Sequence, residues 1–227
     1  MGRRDLLSRR TLLGATLGAA AITASGVARA AEEPPARIAK LRGSASMLRN
    51  GTQSALAVGD ALQIDDSVST AAEARLKIAF ADGSTLALAG NSTLSLDRFQ
   101  FDARTRSRDA AVTLAEGALR VLVAKASAGS AFEVATGTAV AASRSTEWLV
   151  SASAEQTEVI VLEGEVDVSA AGFSFRSKPT LEQEEQAIRV KPGESITLAA
   201  VLDGATLAKT RSDPQRLAAL LAQIGDE

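Results

Sequence analysis

The chain has 227 residues, of which 46% are hydrophobic and 23% are charged, as in ordinary globular proteins. It contains no cysteine and no histidine, which excludes disulfides, thiolate sites, histidine-based catalytic triads and the commonest zinc ligands. We therefore expect no cofactor and no tightly bound transition metal. Aromatic residues make up only 3%, so the core must be built mostly from aliphatic side chains.

The first thirty residues have the parts of an export signal. A basic segment that includes Arg9 and Arg10 precedes a weakly apolar stretch over residues 11–23. Ala28 and Ala30 then fit a small-x-small cleavage site. The arginine pair resembles a twin-arginine signal, which predicts a periplasmic or secreted protein. An uncleaved N-terminal anchor is the alternative, although the stretch is shorter than the roughly 20 residues that span a bilayer.

Removal of residues 1–30 changes the charge of the protein. That segment holds five arginines and one aspartate, so 20 basic and 26 acidic residues remain, with a net charge of −6. Such an acidic domain is a poor candidate for binding nucleic acid or anionic membrane surfaces. No later segment is apolar enough to cross a membrane, so we expect no transmembrane span in the mature chain.

Most of the mature chain alternates apolar and polar residues, as half-buried β-strands do. Leu76–Phe80 is one clear example. Asn50-Gly51 and Asp82-Gly83 predict type I′ hairpin turns, because both central residues of that turn need positive φ. Glu116-Gly117 predicts a further break between strands. The fold class is therefore all-β, a twisted, solenoid-like or sandwich-like array of many short strands.

One helix is predicted near the C-terminus. Asp213 suits the N-cap and Pro214 the first helical position. The residues that follow at helical spacing form an apolar stripe for packing on a sheet: Leu217, Leu220, Leu221 and Ile224. The predicted organisation is a signal peptide over residues 1–30, a linker over 31–37, a β domain over 38–200, and a C-terminal extension over 201–227 with its helix at about 214–224.

A run of arginines is the first candidate for contact with a partner. Residues 102–109 are predicted to form a long loop that carries Arg104, Arg106 and Arg108 between acidic ends. Arginines in an otherwise acidic protein suit an anionic ligand. The alternative is a solvated hairpin with local ion pairs. Another loop is predicted at Ser177–Gln186.

Residues 143–148 are the second candidate for partner binding. Arg144, Glu147 and the only tryptophan, Trp148, lie close together there. Tryptophan and arginine are both enriched at the energetic centres of protein interfaces. The alternative is that Trp148 fills the core, on the face that it shares with Val150.

An acidic cluster carries the alternative enzymatic hypothesis. Asp60, Asp65 and Asp66 are close in sequence and suit a hard cation or a pair of catalytic carboxylates. They do not follow the spacing of a calcium-binding EF-hand loop, and aspartates near glycine are typical of turns. The alternative function is therefore a secreted carboxylate-dependent hydrolase or lyase, while a non-enzymatic module is favoured.

The order of several short motifs resembles the FecR-like periplasmic domain family. Each motif alone is common strand-and-turn sequence, but their order and spacing together are specific over about residues 38–198. The segments that carry the resemblance are Val58–Leu62, Asp66–Thr70, Ala74–Ser84, Leu114–Arg120, Phe132–Thr136, Ser143–Trp148, Val161–Val166 and Val190–Glu194. Within them, Ser145 stands where the family typically has glycine.

The resemblance implies an all-β, non-enzymatic domain that binds a protein or cell-envelope partner in a sensory or structural role. The best-known members of the family are transmembrane regulators, whose N-terminal cytoplasmic part binds a sigma factor. Only Met1–Ser8 precede the arginine pair here. We therefore expect only the β module to be shared, without the part that binds a sigma factor.

Overall fold

The protein is described from a computed structural model, which places residues 33–172, 187–199 and 206–225. Strands dominate it, and the strands among the described residues do not close into a barrel. The elements are β1 (Ala36–Arg42), β2 (Ala45–Arg49), β3 (Thr52–Ala55), β4 (Ala61–Leu62), β5 (Ser67–Thr70), β6 (Arg75–Phe80), β7 (Thr85–Leu88), β8 (Thr93–Asp102), β9 (Ser107–Leu122), β10 (Ala131–Ala135), β11 (Ala139–Ser143), β12 (Glu147–Ala152), β13 (Gln156–Glu163), β14 (Val166–Ala170), β15 (Ile188–Val190), β16 (Glu194–Ala199), β17 (Thr206–Arg211) and the helix α1 (Pro214–Ile224).

The strands form two sheets that share β9. Sheet A has the strand order β4-β1-β6-β7-β9-β12-β13-β16-β17. Sheet B has the order β3-β2-β5-β8-β9-β10-β11-β14-β15. These pairings are antiparallel except that of β9 with β10, which is parallel. The all-β prediction is therefore confirmed, and the arrangement is sandwich-like.

The inner faces of the two sheets meet in one hydrophobic core. Alternate residues of each strand point into it, for example Leu76 and Ile78 from sheet A and Val112 and Leu114 from sheet B. All four of these side chains are at most 2% exposed. The period-two pattern in the sequence thus reports which face of each strand is buried.

The long strand β9 passes from sheet B to sheet A at Gly117. Its first part pairs with β8, and residues 117–122 pair with β12. Gly117 has a φ of 104°, and a Cβ added there would lie 2.6 Å from the Cα of Ser92. The predicted break between strands at Glu116-Gly117 is therefore wrong, because β9 continues through both residues. Glycine is needed instead because the strand bends where another backbone approaches closely.

The two predicted hairpin turns have different outcomes. Asn50 and Gly51 both have positive φ, at 50° and 77°, which confirms the first prediction. At the second site Gly83 alone has positive φ, so the type I′ prediction is wrong there. The Asp82 side chain instead accepts hydrogen bonds from the backbone N–H and the hydroxyl of Ser84, which fixes the turn.

The C-terminal helix was predicted correctly and covers part of the outer face of sheet A. The Asp213 side chain caps it by accepting a hydrogen bond from the Gln215 N–H at 2.9 Å. Arg216 Nε donates to the Glu158 carboxylate of β13 at 2.8 Å. The apolar stripe of the helix packs against side chains of sheet A and its edges, namely Ala89, Ala118, Leu149, Ile160, Ala87 and Leu162.

Two strands extend beyond the residues predicted for the β domain. β1 begins at Ala36, inside the predicted linker, and β17 lies in the predicted C-terminal extension. The predicted loop over residues 102–109 is a hairpin, since β8 ends at Asp102 and β9 begins at Ser107. Within the described residues, no helix has both the length and the hydropathy required to cross a membrane. The predicted signal peptide and the predicted loop at Ser177–Gln186 lie outside these residues.

Candidate functional site

A groove with basic walls runs over the outer face of sheet A, beside the end of α1. We call it the basic trough. Its volume is about 370 Å³, within the range of ligand sites. Short side chains of β7 form its floor, and longer ones from β1, β6, β9 and β12 rise around it. The lining residues are Lys40, Arg42, Arg75, Leu76, Lys77, Thr85, Ala87, Arg120, Leu122, Glu147, Ile224 and Gly225.

The positions of the cations follow from strand register. Lys40 on β1 is directly opposite Lys77 on β6, and Arg42 is directly opposite Arg75. Residues that face each other across an antiparallel pair lie on the same side of the sheet. Since Leu76 and Ile78 point into the core, all four cations must point outward. Two like-charge pairs therefore sit side by side, an arrangement that destabilises a sheet.

A fifth cation faces the trough from the other side. Arg120 of β9 lies in the same row of the sheet as Lys77, with Ala87 between them. The Arg120 guanidinium donates from Nε and Nη2 to Oε1 of Glu147, which is the one acidic residue among the described residues that line the trough. Among the described residues that line the trough, five side chains are thus basic and one is acidic, so this lining carries a net positive charge in a chain whose net charge is negative.

The helix closes one end of the trough. Arg75 donates from Nη1 to the carbonyl of Ala74 at 2.8 Å and from Nη2 to the carbonyl of Ala222 at 3.5 Å. A cation beside the last carbonyls of a helix satisfies groups that have no partner within the helix and offsets the negative end of its dipole. Arg75 therefore holds the end of the helix against the sheet as well as contributing charge.

Two of the cations are available to a ligand. Lys40 and Arg42 are exposed, and neither makes an ion pair or side-chain hydrogen bond with a residue that the structure describes. Leu122, on the wall formed by β9, is 44% exposed. The trough thus offers charge for carboxylate or phosphate groups beside an apolar contact.

The residues proposed from positions 143–148 do not form one surface. Trp148 is 0% exposed and lies in the core with Val150. Direct contact of Trp148 with a partner is therefore excluded in this conformation, and the core alternative is correct. Glu147 points to the opposite face of β12 and lines the trough, while Arg144 is exposed in the turn before that strand.

The arginines proposed from positions 102–109 are also divided. Arg104 and Arg106 are exposed in the turn between β8 and β9. The side chain of Arg108 is 0% exposed, so it cannot contact a partner there. Its Nη1 lies 2.6 Å from the Asp82 carboxylate, and its Nη2 donates to the Arg144 carbonyl at 3.0 Å.

Two carboxylates of the acidic cluster have structural roles. Asp66, 1% exposed, accepts hydrogen bonds from Arg49 Nε at 2.7 Å and Nη2 at 2.6 Å. Asp60 accepts from the Ala57 N–H at 2.8 Å, and Asp65 is exposed. Within the described residues there is no group of three acidic side chains able to hold a metal ion. The cluster therefore supplies turns and an ion pair.

The ionisation of Asp66 depends on that pair. Burial opposes the charged form, but the Arg49 guanidinium and the Gln63 N–H donate to it and hold the pKa of Asp66 below its usual value. The ionised carboxylate thus stabilises the fold above the ordinary pKa of about 3.9. That contribution is lost as the pH falls through the lowered pKa of the folded state.

Similarity to known proteins agrees with the motifs in the sequence. Residues 66–167 match the family described as FecR protein. Two crystal structures of a "putative anti-sigma factor from Parabacteroides distasonis ATCC 8503" share the fold, each with a TM-score of 0.51 and 20% identity. Each match covers 68% of this chain and 64% or 63% of the other, so this chain spans a little under two thirds of those proteins. No curated protein matches it. The chain contains a FecR-like domain.

Proposed function

We propose that the chain is an exported, non-enzymatic FecR-like module that binds a protein or cell-envelope partner through the basic trough, in a sensory or structural role. The observation that carries the proposal is the pairing of Lys40 with Lys77 and of Arg42 with Arg75 on one open face of sheet A. A fold that keeps like charges opposite each other breaks a local rule of sheet stability, and such departures are expected at functional sites.

A regulatory role is supported by the FecR match and by the fold of the anti-sigma factor structures. The enzymatic alternative has no comparable support, because the Asp66 carboxylate is paired with Arg49 and the Asp60 carboxylate accepts a hydrogen bond from the Ala57 N–H within a turn. Recognition of a partner requires only an accessible surface of suitable charge and shape. The trough supplies both.

Site-specific photo-crosslinking in the native host tests partner binding. A benzophenone side chain in place of Leu122, at the trough, is expected to yield a discrete covalent adduct that mass spectrometry identifies. The same substitution at Leu48 on β2 is the matched control, because these two leucines are 44% and 47% exposed on different sheets. Lys40→Glu with Lys77→Glu should abolish the Leu122 adduct by reversing the charge of the trough.

The outcomes of this experiment show which face of the molecule binds the partner. Equal adducts from both positions would show that the partner does not prefer the trough. An adduct at Leu122 that survives the charge reversal would show that the trough cations do not bind the partner. An adduct from Leu48 alone would move the binding face to sheet B.

Export is tested by a conservative change in the signal. Arg9→Lys with Arg10→Lys is expected to leave the protein in the cytoplasm, because a twin-arginine signal is recognised by both guanidinium groups and lysine supplies only charge. Cell fractionation and immunoblotting measure the distribution. Arg3→Lys with Arg4→Lys, in the same segment, is the matched control and should export normally. A normal periplasmic yield from the Arg9 and Arg10 variant would contradict twin-arginine transport.

A further inference from the structure

We infer that the basic trough binds an extended acidic segment of a protein partner, with carboxylate side chains at alternate positions. This inference rests on the proposed function and names the chemistry that the trough recognises. It follows from the spacing of the cations, the shape of the floor and the exposed leucine on one wall.

The spread of the charges favours a ligand with several anionic groups. Strands β1, β6, β7 and β9 are consecutive neighbours in sheet A, so Lys40 and Arg120 lie three strand spacings apart, or about 14 Å at their backbones. A single carboxylate or phosphate cannot contact the cations at both sides. A chain that carries several carboxylates can.

The spacing along the strands matches an extended polypeptide. Lys40 and Arg42 are two residues apart on β1, and Arg75 and Lys77 are two residues apart on β6. Two residues of an extended chain span about 6.6 Å. An extended ligand with acidic residues at positions i and i+2 therefore presents carboxylates at the same interval as the cations.

The floor of the trough leaves room for such a segment. Thr85 and Ala87 of β7 have short side chains between the longer residues of β6 and β9. Leu122 adds an exposed apolar surface beside Arg120. Peptide recognition commonly combines charge with an apolar contact of this kind, so an apolar residue flanked by acidic ones fits best.

Fluorescence anisotropy tests the inference on the purified mature protein. The probe is a fluorescein-labelled ten-residue peptide that alternates glutamate and threonine, with leucine in place of one central threonine, and its counterpart has lysine in place of each glutamate. The glutamate peptide should bind, more weakly as salt rises, and the lysine peptide should not. Lys40→Gln with Lys77→Gln is expected to weaken binding by about tenfold or more.

A matched variant controls for net charge. Arg104→Gln with Lys125→Gln also removes two exposed cations, but away from the trough, and should leave binding within about twofold. Thermal unfolding checks the fold of each variant. Lys40→Gln alone should unfold at the same or a higher temperature than the parent, since Lys40 lies opposite another cation. If the Lys40 and Lys77 variant does not fold, Lys40→Gln alone, at an exposed position, takes its place.

Three results would overturn the inference. The first is no binding of the glutamate peptide, and the second is an equal loss of binding in the control variant. The third is preferential binding of vesicles that contain phosphatidylglycerol, which would assign the trough to a membrane surface. If the crosslink at Leu122 forms but the glutamate peptide does not bind, an acidic segment is excluded as the ligand. The proposed partner-binding function would still stand.

Discussion

Trp148→Ala is expected to lower the free energy of unfolding by about 3–5 kcal/mol. Trp148 is the largest fully buried side chain of the described residues, and it lies between Val121 of β9 and Val161 of β13. Few other aromatic side chains are present to fill the space that it would leave. Since a typical domain is stable by only about 5–15 kcal/mol, this variant loses a large share of the total.

Urea unfolding followed by circular dichroism measures the effect. Trp148→Phe is the matched control. It keeps an aromatic ring and removes the indole N–H, which has no hydrogen-bond acceptor among the described residues, so its cost should be much smaller. Fluorescence of the parent gives a second readout, because there is no tyrosine and no other tryptophan. Its emission should be blue-shifted and move to the red on unfolding. Red emission from the native protein, with an alanine variant as stable as the parent, would refute burial.

Local sequence was sufficient to predict the faces of the strands and the helix. Alternation in Leu76–Phe80 reports burial directly, because successive side chains of a strand point to opposite sides. The stripe from Leu217 to Ile224 does the same for the helix, since it repeats at the helical period. Both patterns depend only on residues within a few positions of each other. The turn at Asn50-Gly51 was predictable for the same reason.

The trough was not predictable in this way, because its cations come from strands distant in the sequence. Lys40 and Arg120 are 80 residues apart, and only the pairing of β1 with β6 and of β7 with β9 brings them to one face. The alternation did place Arg75 and Lys77 on the outer side of β6. Which strand pairs with which, and in what register, is set by long-range contacts that no local pattern contains. The arginines that stood out as a run, in contrast, include one that is buried.

Breaking the buried pair between Arg108 and Asp82 is expected to cost about 3–5 kcal/mol from either side. The two side chains are 0% and 1% exposed, with Nη1 and Oδ2 2.6 Å apart. Arg108 also donates to the carbonyls of Ala124 and Arg144 at 3.0 Å, so it links three segments that are distant in sequence. Arg108→Met leaves a buried carboxylate without its cation, and Asp82→Asn leaves a buried guanidinium without its anion.

A double-mutant cycle distinguishes the pair from simple loss of packing. The variant with both changes leaves no unpaired charge, so it should cost about 0.5–3 kcal/mol less than the sum of the two single changes. Asp167→Asn is the matched control, because Asp167 pairs with Arg189 at 2.7 Å but on the surface, with side chains 37% and 59% exposed. Its cost should stay below about 1 kcal/mol. Chemical unfolding of all four variants measures these differences. Additive single changes, or an Arg108→Met variant no less stable than the surface control, would show that the buried pair does not hold these segments together.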